Sequence, residues 1–190
     1  MAEKTTSQKI IKKKKKWFTL VAPMEFGNLV LGETPAFESE NIMGRKIVVN
    51  LMTLARDPKK QSYNITFKVI EVKNSDALTM TVKYELPNVH IKRFVKKEKE
   101  KVDDAFPIVT KDNVKAMIKP LFVTKAMTQH SRLTLLRKRA NEFMTKLAKE
   151  RTFAELVSML VSTELQRSLR SELKKVYPLS VCEIRAFERL

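Results

Sequence analysis

The sequence has 190 residues, of which 43% are hydrophobic, so it is long enough and apolar enough to bury one core. It carries 38 Lys and Arg against 21 Asp and Glu, and the net charge of +17 favours a polyanionic partner. Nucleic acid is the first candidate, ahead of an anionic membrane surface and of a basic surface that is merely solvated. The single cysteine excludes an intrachain disulfide and favours a reducing compartment.

Residues 1–16 predict a flexible basic N-terminal arm. They contain seven lysines, five of them consecutive, and one acid, Glu3. Blocks of like charge repel one another and stay extended until a counter-charge arrives. A solvated tail is the alternative, but we expect an arm that becomes ordered on RNA. We expect no signal peptide and no membrane span, because no apolar run of the required length is present.

The next part of the chain, residues 17–123, predicts short antiparallel strands. Residues 77–86 alternate apolar and polar side chains, and residues 63–72 are rich in β-formers, so the turn at 73–76 predicts a hairpin. A second hairpin joins residues 102–110 to 114–123, and its two prolines indicate weakened or edge strands. Residues 88–101 are ambiguous. Further strand candidates are residues 18–22, 29–31 and 47–54.

From about residue 126 the apolar period changes to that of a helix. Leu133, Leu136, Ala140, Phe143 and Leu147 form one stripe. A second helix is predicted to begin with the capping-box pair Thr152 and Glu155, to continue through Val157, Val161, Leu165 and Leu169, and to stop at Tyr177-Pro178. Residues 181–187 return as a last strand. The prediction is an α+β fold, a small antiparallel β-barrel-like core followed by two C-terminal helices and a final strand, with residues 17–190 forming a single RNA-binding domain.

The residues required for catalysis or for metal binding are scarce. Three glycines allow neither a dinucleotide fingerprint nor a phosphate loop. His90, His130 and Cys182 are too scattered for a structural zinc site, although a histidine close to Cys182 in space stays open. Asp103 and Asp104 are adjacent, so on a strand they would point to opposite faces. We therefore predict no enzyme activity, no cofactor, no metal and no small-molecule substrate.

Basic residues occur in four clusters without matching acidic blocks, which favours a surface that follows phosphates. Trp17 and Phe94 are each interpreted as core anchors, with base stacking as the alternative. No aromatic RNA-recognition strand, helix-turn-helix or zinc finger is present, so we expect recognition by shape and backbone. The candidate RNA-binding residues are Lys12, Lys13, Lys14, Lys15, Lys16, Trp17, Arg45, Lys46, Lys92, Arg93, Lys96, Lys97, Arg132, Arg137, Lys138 and Arg139.

Short motifs in a fixed order run through nearly the whole chain, from about Trp17 to Arg185. Together they resemble the archaeal and eukaryotic small-subunit ribosomal protein S3Ae family. The chain differs from the family pattern at residues 92–101, where the family is rich in arginine and serine and this chain has lysine and glutamate at 96–101, and at Ala186. The motifs are Trp17-Phe18-Thr19, Ala22-Pro23, Phe26-Gly27-Asn28, Gly32-Glu33-Thr34-Pro35-Ala36, Gly44-Arg45, Thr110-Lys111-Asp112, Lys119-Pro120, Tyr177-Pro178-Leu179 and Glu183-Ile184-Arg185.

The resemblance implies a structural constituent of the small (30S) ribosomal subunit. It implies a β-barrel-like core with helices, a place on the platform near the 3′ end of the 16S rRNA and the mRNA exit, and neighbouring ribosomal proteins as partners, with mRNA as a further contact. The absence of a long C-terminal extension suggests an archaeal source. A cytoplasmic, ribosome-bound location follows from the same resemblance.

Three other functions are compatible with a strongly basic chain. A stand-alone RNA chaperone or non-specific RNA-binding protein would bind many nucleic acids with little preference. A nucleic-acid enzyme would need a carboxylate cluster or a metal site. A peripheral membrane protein would use the lysine arm, but the sequence lacks an adjacent amphipathic anchor or lipidation signal.

Overall fold

The structure is a computed structural model that describes residues 14–190, and most of the predicted arm lies outside this range. Within it, nine strands share one sheet and five α-helices accompany them. None of these helices has both the length and the apolar character needed to cross a bilayer. The strands are β1 (Lys16–Val21), β2 (Val30–Ala36), β3 (Lys46–Asn50), β4 (Asn64–Lys73), β5 (Asp76–Glu85), β6 (Lys101–Asp103), β7 (Phe106–Val109), β8 (Lys115–Thr124) and β9 (Leu179–Arg189). The helices are α1 (Leu51–Ala55), α2 (Asn88–Phe94), α3 (His130–Glu150), α4 (Phe153–Val161) and α5 (Glu164–Lys174).

The first predicted hairpin is confirmed, and the second is confirmed with its first strand divided into β6 and β7, both of which pair with β8. Strands β4 and β5 pair antiparallel around a turn in which Asn74 has a left-handed backbone, with φ of 55°. Strands β7 and β8 pair around the predicted turn, where Asn113 has φ of 58°. Pro107 lies on β7, which pairs only with β8, as expected for an edge strand. Pro120 lies instead inside β8, at a register shift in its pairing with β9, and this irregularity accommodates the missing N–H.

The α+β class is confirmed, but the described strands do not close into a barrel. Strand β4 pairs along one edge of β5, whereas β1 and β9 share the other edge at opposite ends. The parallel pairing of β1 joins Thr19–Val21 to the start of β5, and β9 pairs with its last three residues. The sheet therefore branches at β5, because β1 and β9 pair with different parts of the same edge of this strand, and the sheet keeps free edges.

The predicted strand at 47–54 is only half correct, because β3 ends at Asn50 and α1 follows directly. The Asn50 side chain accepts a hydrogen bond of 2.9 Å from the Met52 backbone N–H, which caps the helix. The ambiguous stretch 88–101 divides in a similar way. It contains the two-turn helix α2, and the backbone then becomes irregular until β6 begins at Lys101.

The main core lies between the sheet and helices α3–α5. On α3 the buried positions begin as predicted, at Leu133, Leu136 and Ala140, but continue at Met144 and Ala148. Phe143 and Leu147 are half-buried at the margin of the core. A stripe on a straight helix drifts around its axis over 21 residues, and this drift carries Phe143 and Leu147 to the flank. A smaller core under β1 and β2 contains Phe18, Leu20, Ala36, Ile42, Val69 and Ala77.

The prediction of two C-terminal helices is wrong, since the second one is broken into α4 and α5. The break lies at Thr163, whose φ of 64° is left-handed and interrupts the helical hydrogen bonds. The buried Gln166 side chain donates to the Leu160 carbonyl, which lies at the end of α4. The predicted capping box is present, because Thr152 and Glu155 exchange side-chain and backbone hydrogen bonds. The final strand is confirmed as β9.

Candidate nucleic-acid interface

The N-terminal basic cluster lies at the start of β1. Lys14, Lys15 and Lys16 are exposed, whereas Lys12 and Lys13 lie outside the described residues. Trp17 is 64% exposed, so its interpretation as a core anchor is wrong. The reason is the alternation along a strand: Phe18 enters the smaller core, and its neighbour therefore points to the opposite face.

An exposed aromatic side chain directly after β2 accompanies Trp17. In the β1–β2 register, Trp17 faces Pro35 and Lys16 faces Ala36, so one further step places Lys15 opposite Phe37. The Lys15 Nζ lies 5.5 Å from the centroid of the Phe37 ring, within the range of a cation–π contact. The sequence motifs did not identify Phe37, because its position opposite Lys15 depends on the pairing of two strands.

Arg45 brings the second predicted cluster close to the first. One guanidinium nitrogen donates to Thr34 Oγ1 at 2.7 Å and to the Pro35 carbonyl at 3.3 Å, and Nε donates to the Asn41 carbonyl at 3.0 Å. These bonds attach the residue before β3 to β2, which pairs with β1 and places Pro35 opposite Trp17. Some donors of Arg45 therefore serve the fold, and its role in RNA binding stays a prediction.

Lys46 stands directly opposite Lys68 in the register of β3 and β4. Like charges in this position destabilise a sheet. Neither lysine has an acidic partner in the part of the chain that the structure describes. A phosphate near the two ammonium groups would remove the repulsion between them. Lys68 was missed in the sequence because it stands alone there, and only strand pairing joins it to Lys46.

The third predicted cluster surrounds the end of α2. Lys92 and Arg93 occupy its last turn, and Lys96 and Lys97 follow it; all four are exposed. Phe94 is half-buried against a small cluster of Leu86, Ile91 and Leu121, which agrees with its interpretation as an anchor. The helix thus holds its basic residues outward by burying its apolar ones.

The fourth predicted cluster is divided between faces of α3. Arg132 lies 5.8 Å from the Tyr177 ring, Arg137 is half-buried, and Lys138 is exposed. Arg139 lies 3.6 Å from Glu142, an exposed pair that contributes little to stability. Arg132 and Arg139 line a groove of about 1020 Å³ between α3 and the end of α5. The other charged residues that line it are Lys146, Lys175, Glu142, Glu150 and Glu172.

A basic face on α5 was not predicted. Arg167, Arg170 and Lys174 recur at intervals of three and four residues and line a groove of about 440 Å³ beside Pro178. Arg170 donates to the Leu179 and Ser180 carbonyls at 3.1 and 3.3 Å, so this residue also holds β9. The helical spacing of these three basic residues in the sequence was the signal that could have identified them.

Most of the predicted contact residues lack an acidic neighbour. Among residues 14–190, the cations within 4.0 Å of a carboxylate include only Arg139 from the predicted set. The other ion pairs use cations outside that set, which are Lys73, Lys83, Lys101, Lys175 and Arg185. The positive charge of the predicted clusters is therefore left for a partner rather than neutralised within the described fold.

Cys182 does not have the environment of a nucleophile. Its side chain is buried, its Sγ lies 3.7 Å from the Gln166 carbonyl, and burial raises the pKa of the thiol to about 12. The thiol is therefore protonated at neutral pH. In the described range, no three side chains of His, Cys, Asp or Glu lie close enough together to hold a metal ion.

Comparison with known proteins identifies the family. The model of the Ribosomal S3Ae family matches residues 3–190. The chain is 30% identical over 185 residues to small ribosomal subunit protein eS1 of Haloarcula marismortui, covering 97% of this chain and 86% of that protein. It is 34% identical over 172 residues to the eS1 protein of Sulfurisphaera tokodaii, covering 90% and 89%. The eS1 protein of Nanoarchaeum equitans is 30% identical, covering 92% and 88%. These relatives are archaeal, and the chain belongs to the ribosomal S3Ae family.

Proposed function

We propose that this protein is a structural constituent of the small ribosomal subunit that binds rRNA and catalyses no reaction. Membership of the S3Ae family supports this role, and so do the names of its eS1 relatives. The predicted absence of enzyme activity agrees with the family, which is one of ribosomal structural proteins. The finer part of the proposal follows the resemblance: a place on the platform near the 3′ end of the 16S rRNA and the mRNA exit, with neighbouring ribosomal proteins and mRNA as further contacts.

One observation carries the proposal of rRNA binding. The basic clusters at the start of β1, before β3, after α2 and along α3 are mostly exposed, and in the described range only Arg139 among them has a carboxylate partner. Exposed cations without local acids release condensed counterions when they meet phosphates, which drives association with RNA. The opposed lysines Lys46 and Lys68 are the clearest case, because a phosphate beside them would relieve the repulsion between like charges on paired strands.

The organisation that we propose is a basic arm, residues 1–16, attached to a single RNA-binding domain, residues 17–190. The clusters lie on several elements of the sheet and helices rather than in one groove. Such a distribution suits backbone and shape recognition of folded RNA over an extended surface. The protein would then be found in the cytoplasm, bound to ribosomes.

Sedimentation of a cell lysate tests this function. At low salt the protein should move with the small subunit through a sucrose gradient, and high salt should release it, since phosphate contacts weaken as salt rises. Crosslinking in intact cells followed by RNA sequencing should place the crosslinks at one region of the small-subunit rRNA. Free protein at the top of the low-salt gradient would overturn the proposal, and so would crosslinks spread over unrelated RNAs, as a non-specific chaperone would produce.

A further inference from the structure

Trp17 and Phe37 border a pocket beside the N-terminal basic cluster. The pocket has a volume of about 310 Å³, near the lower end of the range of about 300–1,000 Å³ for small-ligand pockets. Both rings are exposed, by 64% for Trp17 and 44% for Phe37. Exposing two large rings beside each other is unfavourable in water, which indicates a surface that another molecule covers.

The fold holds the two rings in place from below. Phe18 and Ala36, the neighbours of the two aromatic residues in β1 and β2, are buried in the smaller core. The turn between β4 and β5 forms another wall, and the Thr19 backbone N–H donates to the Ser75 carbonyl at 2.9 Å. The pocket therefore lies at the end of the β1–β2 pair, between the residues that follow β2 and the turn that joins β4 to β5. A ring entering it would meet preformed walls.

The positive charge beside the pocket favours an anionic occupant. Lys14, Lys15 and Lys16 precede Trp17, and the Lys15 ammonium already lies over the Phe37 ring. One carboxylate, that of Glu38, also lines the pocket, so cations outnumber acids around it. Alternating cations and exposed aromatic faces are the features with which proteins bind single-stranded nucleic acid, since each base stacks while its phosphate meets a cation. An apolar protein segment would place its own surface against these ammonium groups and gain nothing from them.

We propose that this pocket binds an unpaired nucleobase of single-stranded RNA by stacking against Trp17 and Phe37, with the lysines at 14–16 holding the flanking phosphates. The inference rests on the proposed function and deepens it, because it adds a single-stranded site to a surface otherwise expected to follow the backbone of folded RNA. Ser39 and Asn74 line the same pocket and offer polar atoms to the edge of a base.

The test uses the fact that Trp17 is the only tryptophan in the chain. Purified full-length protein is titrated with a short oligouridylate and with an abasic oligomer of the same length and charge. We follow the fluorescence of Trp17 and measure both affinities. Oligouridylate should quench the fluorescence, because a stacked base contacts the indole, whereas the abasic oligomer should bind more weakly and quench little.

Variants separate stacking from charge. Trp17→Leu should weaken oligouridylate binding about tenfold and leave abasic binding unchanged, and Trp17→Phe should restore most of the loss. Phe37→Leu should reduce both affinity and quenching. Val30→Ala is the matched control, because Val30 lies at the other end of the same strand pair and is 65% exposed, close to the value for Trp17. It should bind like the wild type, and circular dichroism checks that every variant is folded.

Two results would overturn the inference. One is that the wild type and Trp17→Leu bind oligouridylate with equal affinity while the fluorescence of the wild type is not quenched. The other is a Trp17→Leu variant that no longer joins the small subunit yet binds oligouridylate normally, which would assign the pocket to a protein neighbour. Sedimentation of the wild-type protein judges the proposed function separately, so failure of the pocket and failure of the ribosomal role give different results.

Discussion

The Tyr63 hydroxyl donates a hydrogen bond of 3.0 Å to the Glu183 carboxylate, joining residues 120 positions apart in the chain. Tyr63 also stacks on Tyr84, with ring centroids 5.4 Å apart. Burial raises the pKa of Glu183 above its ordinary value of 4.5, and the smaller effects of the Tyr63 hydrogen bond and the Arg170 charge lower it. The carboxyl group therefore holds its proton to a higher pH in the folded protein than in the unfolded chain.

This pKa shift predicts a dependence of stability on pH. Above about pH 4.5 the unfolded chain releases the Glu183 proton first, so the folded state binds more protons and the free energy of unfolding falls as the pH rises. Glu183→Gln removes this contribution. Urea unfolding at several pH values should show the free energy of unfolding of the variant rising relative to that of the wild type until the pH exceeds the folded pKa of Glu183. Above that pH the difference should stay constant.

The control for the pH series is Glu142→Gln, which changes an exposed carboxylate on α3. Its free energy of unfolding should run parallel to that of the wild type across the same range. A difference between Glu183→Gln and the wild type that stays constant at every pH would contradict the assignment, because it would mean that Glu183 has the same pKa folded and unfolded.

The buried thiol of Cys182 should resist modification in the native protein. With a pKa of about 12, the thiolate is scarce at pH 8, and burial excludes the reagent. A thiol-reactive dye should therefore label the protein slowly in buffer and rapidly in denaturant. Rapid stoichiometric labelling without denaturant, at unchanged circular dichroism, would show that the site is open.

The contact between Phe153 and Phe187 joins α4 to β9. The two rings stack with centroids 4.9 Å apart, and Phe187 is almost fully buried. Phe187→Ala should lower the free energy of unfolding by about 3–5 kcal/mol, because the cavity cannot be filled by neighbours already in close contact. Leu135→Ala is the control: it lies on the exposed side of α3, is 45% exposed and should cost less than about 1 kcal/mol. Equal losses in the two variants, measured by urea unfolding, would contradict this packing.

The opposed lysines of β3 and β4 predict opposite effects on stability and on RNA binding. Lys68→Ala should raise the free energy of unfolding by roughly 0.2–1 kcal/mol, since it removes a like-charge pair. The same change should weaken binding to small-subunit rRNA and reduce the slope of log affinity against log salt by about one. Lys101→Ala is the control, because Lys101 lies 2.9 Å from Asp103 and is already neutralised. A slope that is unchanged in Lys68→Ala would remove this pair from the interface.

Several parts of the fold were predictable because their signals are local. The alternation of residues 77–86, the turn at 73–76 and the capping box of Thr152 with Glu155 each depend on side chains a few positions apart. The basic clusters were visible for the same reason. The chemistry that the sequence lacks, such as glycine-rich phosphate loops, was equally evident.

Other features depend on contacts between distant segments. The apolar periodicity predicted one continuous helix through Thr163. In the structure, the left-handed backbone of Thr163 ends α4 and lets α5 begin in a new direction. The branching of the sheet at β5 also had no local signal, because it depends on β1 and β9 dividing one strand edge.

The sequence by itself determined the charge, the turns of the two hairpins, the capping box and the family, since each is contained in residue types and short spacings. Only the tertiary structure decided which lone residues become neighbours. Phe37 meets Lys15, and Lys68 meets Lys46, through strand register. Trp17 faces outward because its neighbour in β1 occupies the core. The physical reason is that a strand presents two faces, and pairing and burial, both of them non-local, decide what each face contacts.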